Sequence, residues 1–182
     1  MKVEETTLPG VLRIEPRVFG DERGWFLETW RKERYLEHGI GPDFVQANSS
    51  RSGRGVLRGL HYQWPNPQGK LVWVSRGRVL DVAVDIRPDS ATFKHWMACE
   101  LDAESHGQLW IPEGFAHGFV VLSEEATFHY LCTRGYDAQA DAAIAWNDPD
   151  IGIDWPVDKP DLSPKDAAAP RLSEVPAGRL PR

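Results

Sequence analysis

The amino-acid sequence predicts an all-β protein, and three observations carry the prediction. Side chains alternate strictly along "VLDVAVDI", residues 79–86, with the period of two that a strand requires. Gly77 precedes this segment and tolerates a positive φ, so "RGR" favours a tight turn after the strand "KLVWVS". Short apolar segments separated by turn residues recur from Val11 onward. These patterns are typical of an antiparallel sandwich or barrel.

Length and composition fit one domain. The chain has 182 residues, of which 41% are hydrophobic and 26% charged, so it can bury a sizeable core. We expect a single domain over 1–182, with its core over about 11–155. Prolines recur after Trp155, and the segment 156–182 should therefore wrap the surface as a tail.

The segments that lie between turn residues predict the individual helices and strands. The first ten residues read as a loose lead-in, one short helix is expected over 31–38, and a helical turn is expected near "SPKDAAA". Many short antiparallel strands with Gly-rich corners fit a double-sheet jelly roll of the cupin type, a double-stranded β-helix, whose edges could pair across a dimer. The further strands are expected over 11–18, 24–30, 44–50, 56–63, 93–101, 107–111, 117–122, 126–133 and 142–146.

Charge and cysteine content narrow the class of protein. The net charge of −6 gives no reason to expect nucleic-acid binding. No apolar run approaches the ~20 residues that span a membrane, and the N-terminus lacks the apolar segment of a signal peptide. Cys99 and Cys132 form no disulfide framework and fit free thiols in a reducing cytoplasm, which is the expected location.

Polar side chains concentrate in three stretches of this apolar pattern, 46–63, 66–72 and 111–119. The mouth of a jelly roll can hold a small ligand among such inward-facing groups. In "VLRGLHYQ", Arg58 and His61 have opposite parity and would lie on opposite faces of a regular strand. Gly59 between them permits a bulge that re-aims one side chain. His61 is then either a structural histidine, the commoner case, or a base beside an anion-binding arginine.

Three other residues, Lys70, Tyr130 and His117, fit either a structural or a functional role. Lys70 in "QGKLV" is a surface lysine or a cation for a developing oxyanion. Tyr130 in "TFHYLCT" is a core tyrosine or an acid in a pocket. His117 in "PEGFAHG" occupies the place of one metal ligand in metal cupins, but Gln63 interrupts the H-x-H that would supply the others. The motif therefore predicts no metal site.

Taken together, the segments resemble the dTDP-4-dehydrorhamnose 3,5-epimerases, a family of cupin-fold deoxysugar epimerases, over residues 3 to 170. Each segment alone is a weak signal, and their number and order are specific. The segments are "FGDERGWFLETW", "FVQANSS", "GVLRGLHYQ", "PQGKLV", "GRVLDVAVDIR", "IPEGFAHGF", "YLCTRGY", "WNDPDIGIDWP" and "LSPKDA".

The resemblance implies a dTDP-4-keto-6-deoxyhexose substrate and catalysis without a cofactor. By position in the family segments, His61 is the base and Asp166 the carboxylate that orients it. Lys70 would stabilise the enolate oxygen, and Tyr130 would return a proton from the opposite face. The N-terminal stretch of such a protein reaches into its partner's site, which implies a homodimer. The implied substrate-binding residues are Arg23, Glu28, Gln46, Asn48, Arg58, His117, Asp141 and Lys165.

The chain departs from the commoner family pattern at three positions. Leu131 stands where a lysine often follows the tyrosine, Asp141 where glutamate is usual, and Ala47 where aspartate is frequent. These changes spare the base, the acid and the enolate donor. Two alternatives stay open: an epimerase that acts at C3 only, and a non-catalytic or ketoisomerase cupin that binds dTDP-sugars. The second would not be expected to carry "GLHYQ", "QGKLV" and "LSPKDA" together.

Overall fold

The computed structural model describes residues 1–181 and shows two antiparallel β-sheets that face each other. The larger sheet has six strands in the order β1-β2-β10-β7-β12-β5, and the smaller has five in the order β13-β6-β11-β8-β9. Strands β3 and β4 form a separate hairpin. The predicted all-β jelly roll is confirmed. The elements are β1 Lys2–Glu5, β2 Leu12–Glu15, β3 Val18–Asp21, β4 Gly24–Leu27, α1 Lys32–Leu36, β5 Gln46–Gly53, β6 Leu57–Gln63, β7 Lys70–Arg76, β8 Arg78–Asp85, β9 Trp96–Asp102, β10 Gln108–Ile111, β11 Phe115–Val121, β12 Glu125–Cys132, β13 Asp141–Ala143 and α2 Pro164–Ala167, followed by 3₁₀ turns at Leu172–Glu174 and Ala177–Arg179.

Three apolar clusters hold the layers together. Val72 and Phe128 from the larger sheet meet Phe119 from the smaller sheet in the interior. The outer face of the larger sheet is covered around helix α1, where Tyr35 is buried. The outer face of the smaller sheet is covered by the C-terminal part of the chain, through residues such as Leu172. Among residues 1–181, none of the helices combines the length and the apolar character that a membrane crossing requires.

The N-terminal region differs from the prediction in two places. The expected loose lead-in is wrong, because Lys2–Glu5 forms a strand that pairs with Leu12–Glu15. The single strand expected over 11–18 is also wrong, because it divides at Pro16 into β2 and the start of β3. A proline has no N–H to donate to a ladder, so a continuous strand through this position is disfavoured.

Turn and cap residues determine where β8, β9 and α2 begin. The strand expected over 93–101 begins only at Trp96, because Lys94 takes a positive φ of 68° in the preceding turn. The predicted turn at Gly77 is confirmed, with a φ of +76°. The helical turn predicted near "SPKDAAA" is confirmed as α2, where Ser163 Oγ accepts a hydrogen bond from Asp166 N at 3.1 Å.

Candidate active site

A bulge in β6 brings Arg58 and His61 to one wall of a cleft between the two sheets. His117 pairs with His61 and Phe119 with Arg58, so three steps along β6 match two along β11. Gly59 lies between them with a φ of +135°, and a Cβ there would lie 2.5 Å from the Cα of Gly118. In a regular strand Arg58 and His61 would lie on opposite faces. The extra residue of the bulge brings both side chains to the same face, and both line the same chamber. The bulge predicted at Gly59 is therefore confirmed.

The cleft has two adjoining chambers. The inner one has a volume of about 150 Å³, and the outer one, of about 230 Å³, opens toward the surface. His61, Lys70 and Tyr130 line both and mark the boundary. The inner chamber is completed by Ser50, Arg58, His117, Phe119 and Phe128, and the outer one by Gln46, Tyr62, Gln63, Gln68, Cys132, Tyr136, Asp141 and Lys165.

His61 and Asp166 form a hydrogen-bonded pair on the wall that belongs to the smaller sheet. His61 Nε2 lies 2.5 Å from Asp166 Oδ1, and the Asp166 side chain is 3% exposed against 33% for His61. Burial alone would raise the pKa of Asp166, but the hydrogen bond and the charge of His61 outweigh it, and the pKa is lowered. Asp166 is therefore an ionised, buried acceptor that fixes the orientation of the imidazole.

Lys70 and Tyr130 come from the opposite wall. Lys70 on β7 pairs with Cys132 on β12, and Tyr130 lies two residues before Cys132, on the same inward face. Lys70 is buried, and within residues 1–181 no carboxylate lies within 4.0 Å of its ammonium group. Burial lowers the pKa of Lys70, while Cys132, Asp81 and Asp141 oppose that shift. Burial also raises the pKa of Tyr130, which keeps its phenol protonated at neutral pH.

His117 is held by a buried carboxylate behind it. Its Nε2 lies 2.9 Å from Asp81 Oδ2 and 3.1 Å from Asp81 Oδ1, and both side chains are buried. Burial lowers the pKa of His117 against the opposing effect of Asp81, and the charges of Lys70 and His61 lower it further. Because a carboxylate can only accept, Nε2 carries the hydrogen of a neutral imidazole, and Nδ1 is the acceptor.

Three of the predicted binding residues, Gln46, Asp141 and Lys165, line the outer chamber, and Asn48 lines neither chamber but contacts Gln46. Gln46 Nε2 donates to Asn48 Oδ1 at 3.0 Å, and Gln46 Oε1 accepts from Tyr136 N at 2.7 Å. Asp141 Oδ2 accepts from Lys165 Nζ at 2.5 Å and from the Tyr136 hydroxyl at 3.2 Å. The departure from the usual glutamate at Asp141 thus leaves a carboxylate at the rim, in contact with a cation.

Two predicted residues, Arg23 and Glu28, lie elsewhere in this chain. Arg23 is exposed at the tip of the β3–β4 hairpin and pairs with Asp21. Glu28 pairs with Arg34 at 2.8 Å. Neither lines the cleft between the sheets of its own chain. One chain alone therefore does not bring them to the cleft, and their role in substrate binding stays a prediction.

Sequence reasoning did not identify several residues that line the cleft or support it. Ser50 continues the period-two pattern of Gln46 and Asn48, so that signal was available in "QANSS". Phe119 and Phe128 stack with ring centroids 4.1 Å apart and have the sequence pattern of ordinary core residues. Tyr136 lies in a loop with no periodicity to indicate its direction.

Gln63, which interrupts the metal-binding H-x-H pattern, is a structural residue here. Its Nε2 donates to Asn66 O at 2.9 Å, and its Oε1 accepts from Asp137 N at 2.9 Å. Within the described chain, no group of three or more His, Cys, Asp or Glu side chains is arranged to hold a metal ion.

The sequence and the structure both match known proteins along nearly the whole chain. The profile of the dTDP-4-dehydrorhamnose 3,5-epimerase family matches residues 5–174. The dTDP-4-dehydrorhamnose 3,5-epimerase of Salmonella typhimurium is 53% identical over 178 residues, which are 96% of this chain and 97% of that protein.

Solved structures agree with this assignment. The crystal structure of dTDP-6-deoxy-D-glucose-3,5-epimerase from Legionella pneumophila, in complex with dTDP-4-keto-L-rhamnose, matches with a TM-score of 0.97 and 50% identity over 100% of this chain and 97% of that one. A 3'-monoepimerase from Streptomyces bikiniensis, in complex with dTDP-quinovose, matches with a TM-score of 0.87 and 37% identity over 92% and 86%. The chain therefore belongs to the dTDP-4-dehydrorhamnose 3,5-epimerase family, and it is an isomerase.

Proposed function

We propose that the protein epimerises dTDP-4-dehydro-6-deoxy-D-glucose at C3 and C5 to give dTDP-4-dehydro-L-rhamnose. One observation carries the proposal: the His61–Asp166 pair lies on one wall of the cleft, and Lys70 and Tyr130 lie on the other. A sugar ring held between the two sheets would have a base on one face and an acid on the other. Inversion at a carbon requires that arrangement.

The first step is proton abstraction. The C4 ketone acidifies the C–H bonds at C3 and C5, because loss of either proton gives an enolate on O4. His61 Nε2 donates to Asp166, so Nδ1 holds the free electron pair that takes the proton. The ionised Asp166 then stabilises the imidazolium, and a base positioned in this way contributes about 10²–10⁴-fold to the rate.

The second step is reprotonation. The buried ammonium group of Lys70 offers a charge to the enolate oxygen, and such a donor supplies about 2.7–4 kcal/mol of transition-state stabilisation. The protonated phenol of Tyr130 gives its proton to the opposite face of the carbanion and becomes a phenolate. His61 and Tyr130 return to their starting states by proton exchange with solvent. Arg58 and His117 supply donors and an acceptor for sugar or diphosphate oxygens.

The β3–β4 hairpin supports a homodimer. Phe19, Trp25 and Phe26 are 50%, 62% and 68% exposed, and such a patch on one hairpin is typical of an interaction surface. The same hairpin carries Arg23, and Glu28 follows it, although neither reaches the cleft of its own chain. We propose that it docks on a second copy and delivers both side chains to that copy's outer chamber. No nucleic-acid or membrane partner is proposed, and the free thiols of Cys99 and Cys132 fit a cytoplasmic location.

Deuterium incorporation tests the reaction and its main alternative. We expect incubation with dTDP-4-keto-6-deoxyglucose in D₂O to place deuterium at both C3 and C5, as measured by proton NMR of the product. Deuterium at C3 alone would identify a monoepimerase, the activity named for the similar Streptomyces bikiniensis protein. Absence of deuterium at both carbons would contradict the epimerase assignment.

Chelation tests the cofactor-free mechanism. The ammonium group of Lys70 supplies the charge and the hydrogen-bond donor for the enolate, so the reaction needs no Lewis acid, and Gln63 is engaged by main-chain groups. We expect the rate after exhaustive dialysis against EDTA to equal the rate before it. A loss of activity that one divalent ion restores would show that a metal takes part in the reaction.

A further inference from the structure

The end of the described chain, residues 175–181, lies beyond the part that matches the family profile, yet it packs beside the cleft. Leu180 is 7% exposed and belongs to the apolar cluster that contains Tyr62, a residue of the outer chamber. Arg179 precedes this anchor. Its Nη1 donates to Gln139 O at 3.0 Å, and its Nη2 donates to Asp141 O at 3.5 Å. The tail is thus attached to the strand that carries Asp141.

The two carbonyls that Arg179 contacts belong to Asp141, at the start of β13, and to Gln139, in the turn that precedes it. This strand pairs with β6 alone, and toward β6 the chain bonds through alternate residues, with Trp64 N donating to Ala140 O at 2.9 Å. The carbonyl of Asp141 therefore points the other way, to the side where another strand would lie, and the carbonyl of Gln139 accepts from the same guanidinium. The guanidinium of Arg179 has several N–H groups in one plane, so it can donate to both carbonyls, as the N–H groups of a neighbouring strand would.

The position of β13 matters because it forms the rim of the outer chamber. Ala143 pairs with His61 across the ladder, and the Asp141 carboxylate holds Lys165, the neighbour of Asp166. Strand β13 has three residues and lies at a sheet edge, and among residues 1–181 it pairs with β6 alone. By contrast, Asp166 has independent support from the Ser163 cap.

We propose that Arg179 is a positioning residue for substrate binding, which acts by fixing the edge strand β13 and, through it, the Asp141–Lys165 pair. The proposal rests on the proposed function and adds one assignment to it: the outer chamber, lined by Gln46, Asp141 and Lys165, takes the nucleotide part of the substrate. Removal of the guanidinium loosens the rim. His61 stays in place because β6 also pairs with β11, and Lys70 and Tyr130 lie in the other sheet. It therefore weakens binding and spares the chemical step.

The test compares Arg179→Ala and Arg179→Lys with a matched control, Arg54→Ala. Arg54 is exposed, and within residues 1–181 its side chain makes no hydrogen bond or ion pair. We expect KM to rise about tenfold in Arg179→Ala, the effect of losing hydrogen bonds from a charged donor, with kcat within about twofold of the unmodified protein. Arg179→Lys, with one nitrogen, should give an intermediate KM, and Arg54→Ala should change neither constant.

Hydrogen–deuterium exchange separates this proposal from the proposed function, because it needs no turnover. We expect the amides of residues 139–143 to exchange faster in Arg179→Ala, while those of β8 stay unchanged. An unchanged KM, a fall in kcat at constant KM, or unchanged exchange at 139–143 would each overturn the positioning role. If the unmodified protein lacked epimerase activity but the exchange effect appeared, the proposed function would fail and the attachment of β13 would stand.

Discussion

Replacement of His61 by asparagine should abolish turnover and leave the fold intact. The variant loses the imidazole that accepts a proton beside Asp166, and we expect kcat to fall by about 10³-fold or more, the upper part of the range for a positioned base. Asparagine keeps an amide that can donate to Asp166, so the buried carboxylate retains a partner. Deuterium wash-in at C3 and C5 should be lost with inversion, because both begin with the same abstraction.

His129→Asn is the matched control for this experiment. His129 lies on the outer face of the larger sheet, where it stacks on Trp73 and contacts Ser75 Oγ at 2.6 Å. It lines neither chamber of the cleft, so its replacement should leave the rate within about twofold. Thermal unfolding of both variants would show whether the fold survives. A folded His61→Asn protein with near-normal wash-in would show that another group is the base.

Replacement of Tyr130 by phenylalanine should separate exchange from inversion. The ring and most of its packing remain and the hydroxyl is lost, so the variant tests chemistry more than stability. His61 should still abstract the proton, with the enolate held by Lys70, and should return a proton to the face from which it came. We expect deuterium uptake with retention of configuration and little inverted product, and the ratio of uptake to inversion is the quantity to measure.

Tyr35→Phe controls for the loss of a buried hydroxyl. Tyr35 donates to Gln108 Oε1 at 2.7 Å beneath helix α1, away from the cleft, and burial raises its pKa to about 12. This variant should lower the midpoint of thermal unfolding and leave the ratio of uptake to inversion unchanged. If Tyr130→Phe reduced uptake and inversion equally, or reduced neither, Tyr130 would be a positioning or core residue and some other group would be the acid.

Local signals in the sequence predicted much of the fold. The strict alternation in β8 and the glycine at its turn correspond to a strand and a tight turn in the structure, and Gly59 between Arg58 and His61 marks the bulge. The strand at Lys2–Glu5 gave no such signal. Its side chains are mostly charged and exposed, and its pairing with β2, rather than an apolar face, makes it a strand. Local pattern cannot reveal a strand defined by its neighbour.

The site was predictable in part, and the reason is the distance along the chain between its members. Alternation in β8 places Asp81 on one face of the strand and Val82 and Val84 on the other. It could not show that the face with Asp81 points into the interior, because the C-terminal tail buries the face with Val82 and Val84 as well. The pairing of Lys70 with Cys132 depends on the register of two strands far apart in sequence. The importance of Asp166 followed only from the family resemblance, since nothing local connects it to His61.

His61 and Asp166 are 105 residues apart, so the ribosome makes the imidazole well before the carboxylate that orients it. At translation rates of about 5–20 residues per second, roughly 5–20 s pass between synthesis of His61 and synthesis of Asp166. During that interval the outer face of the smaller sheet also lacks its cover, because Trp155, Leu172 and Leu180 are made late. We therefore expect a nascent chain on the ribosome to be inactive and to expose the apolar outer face of the smaller sheet, and we expect premature termination within the tail to favour aggregation.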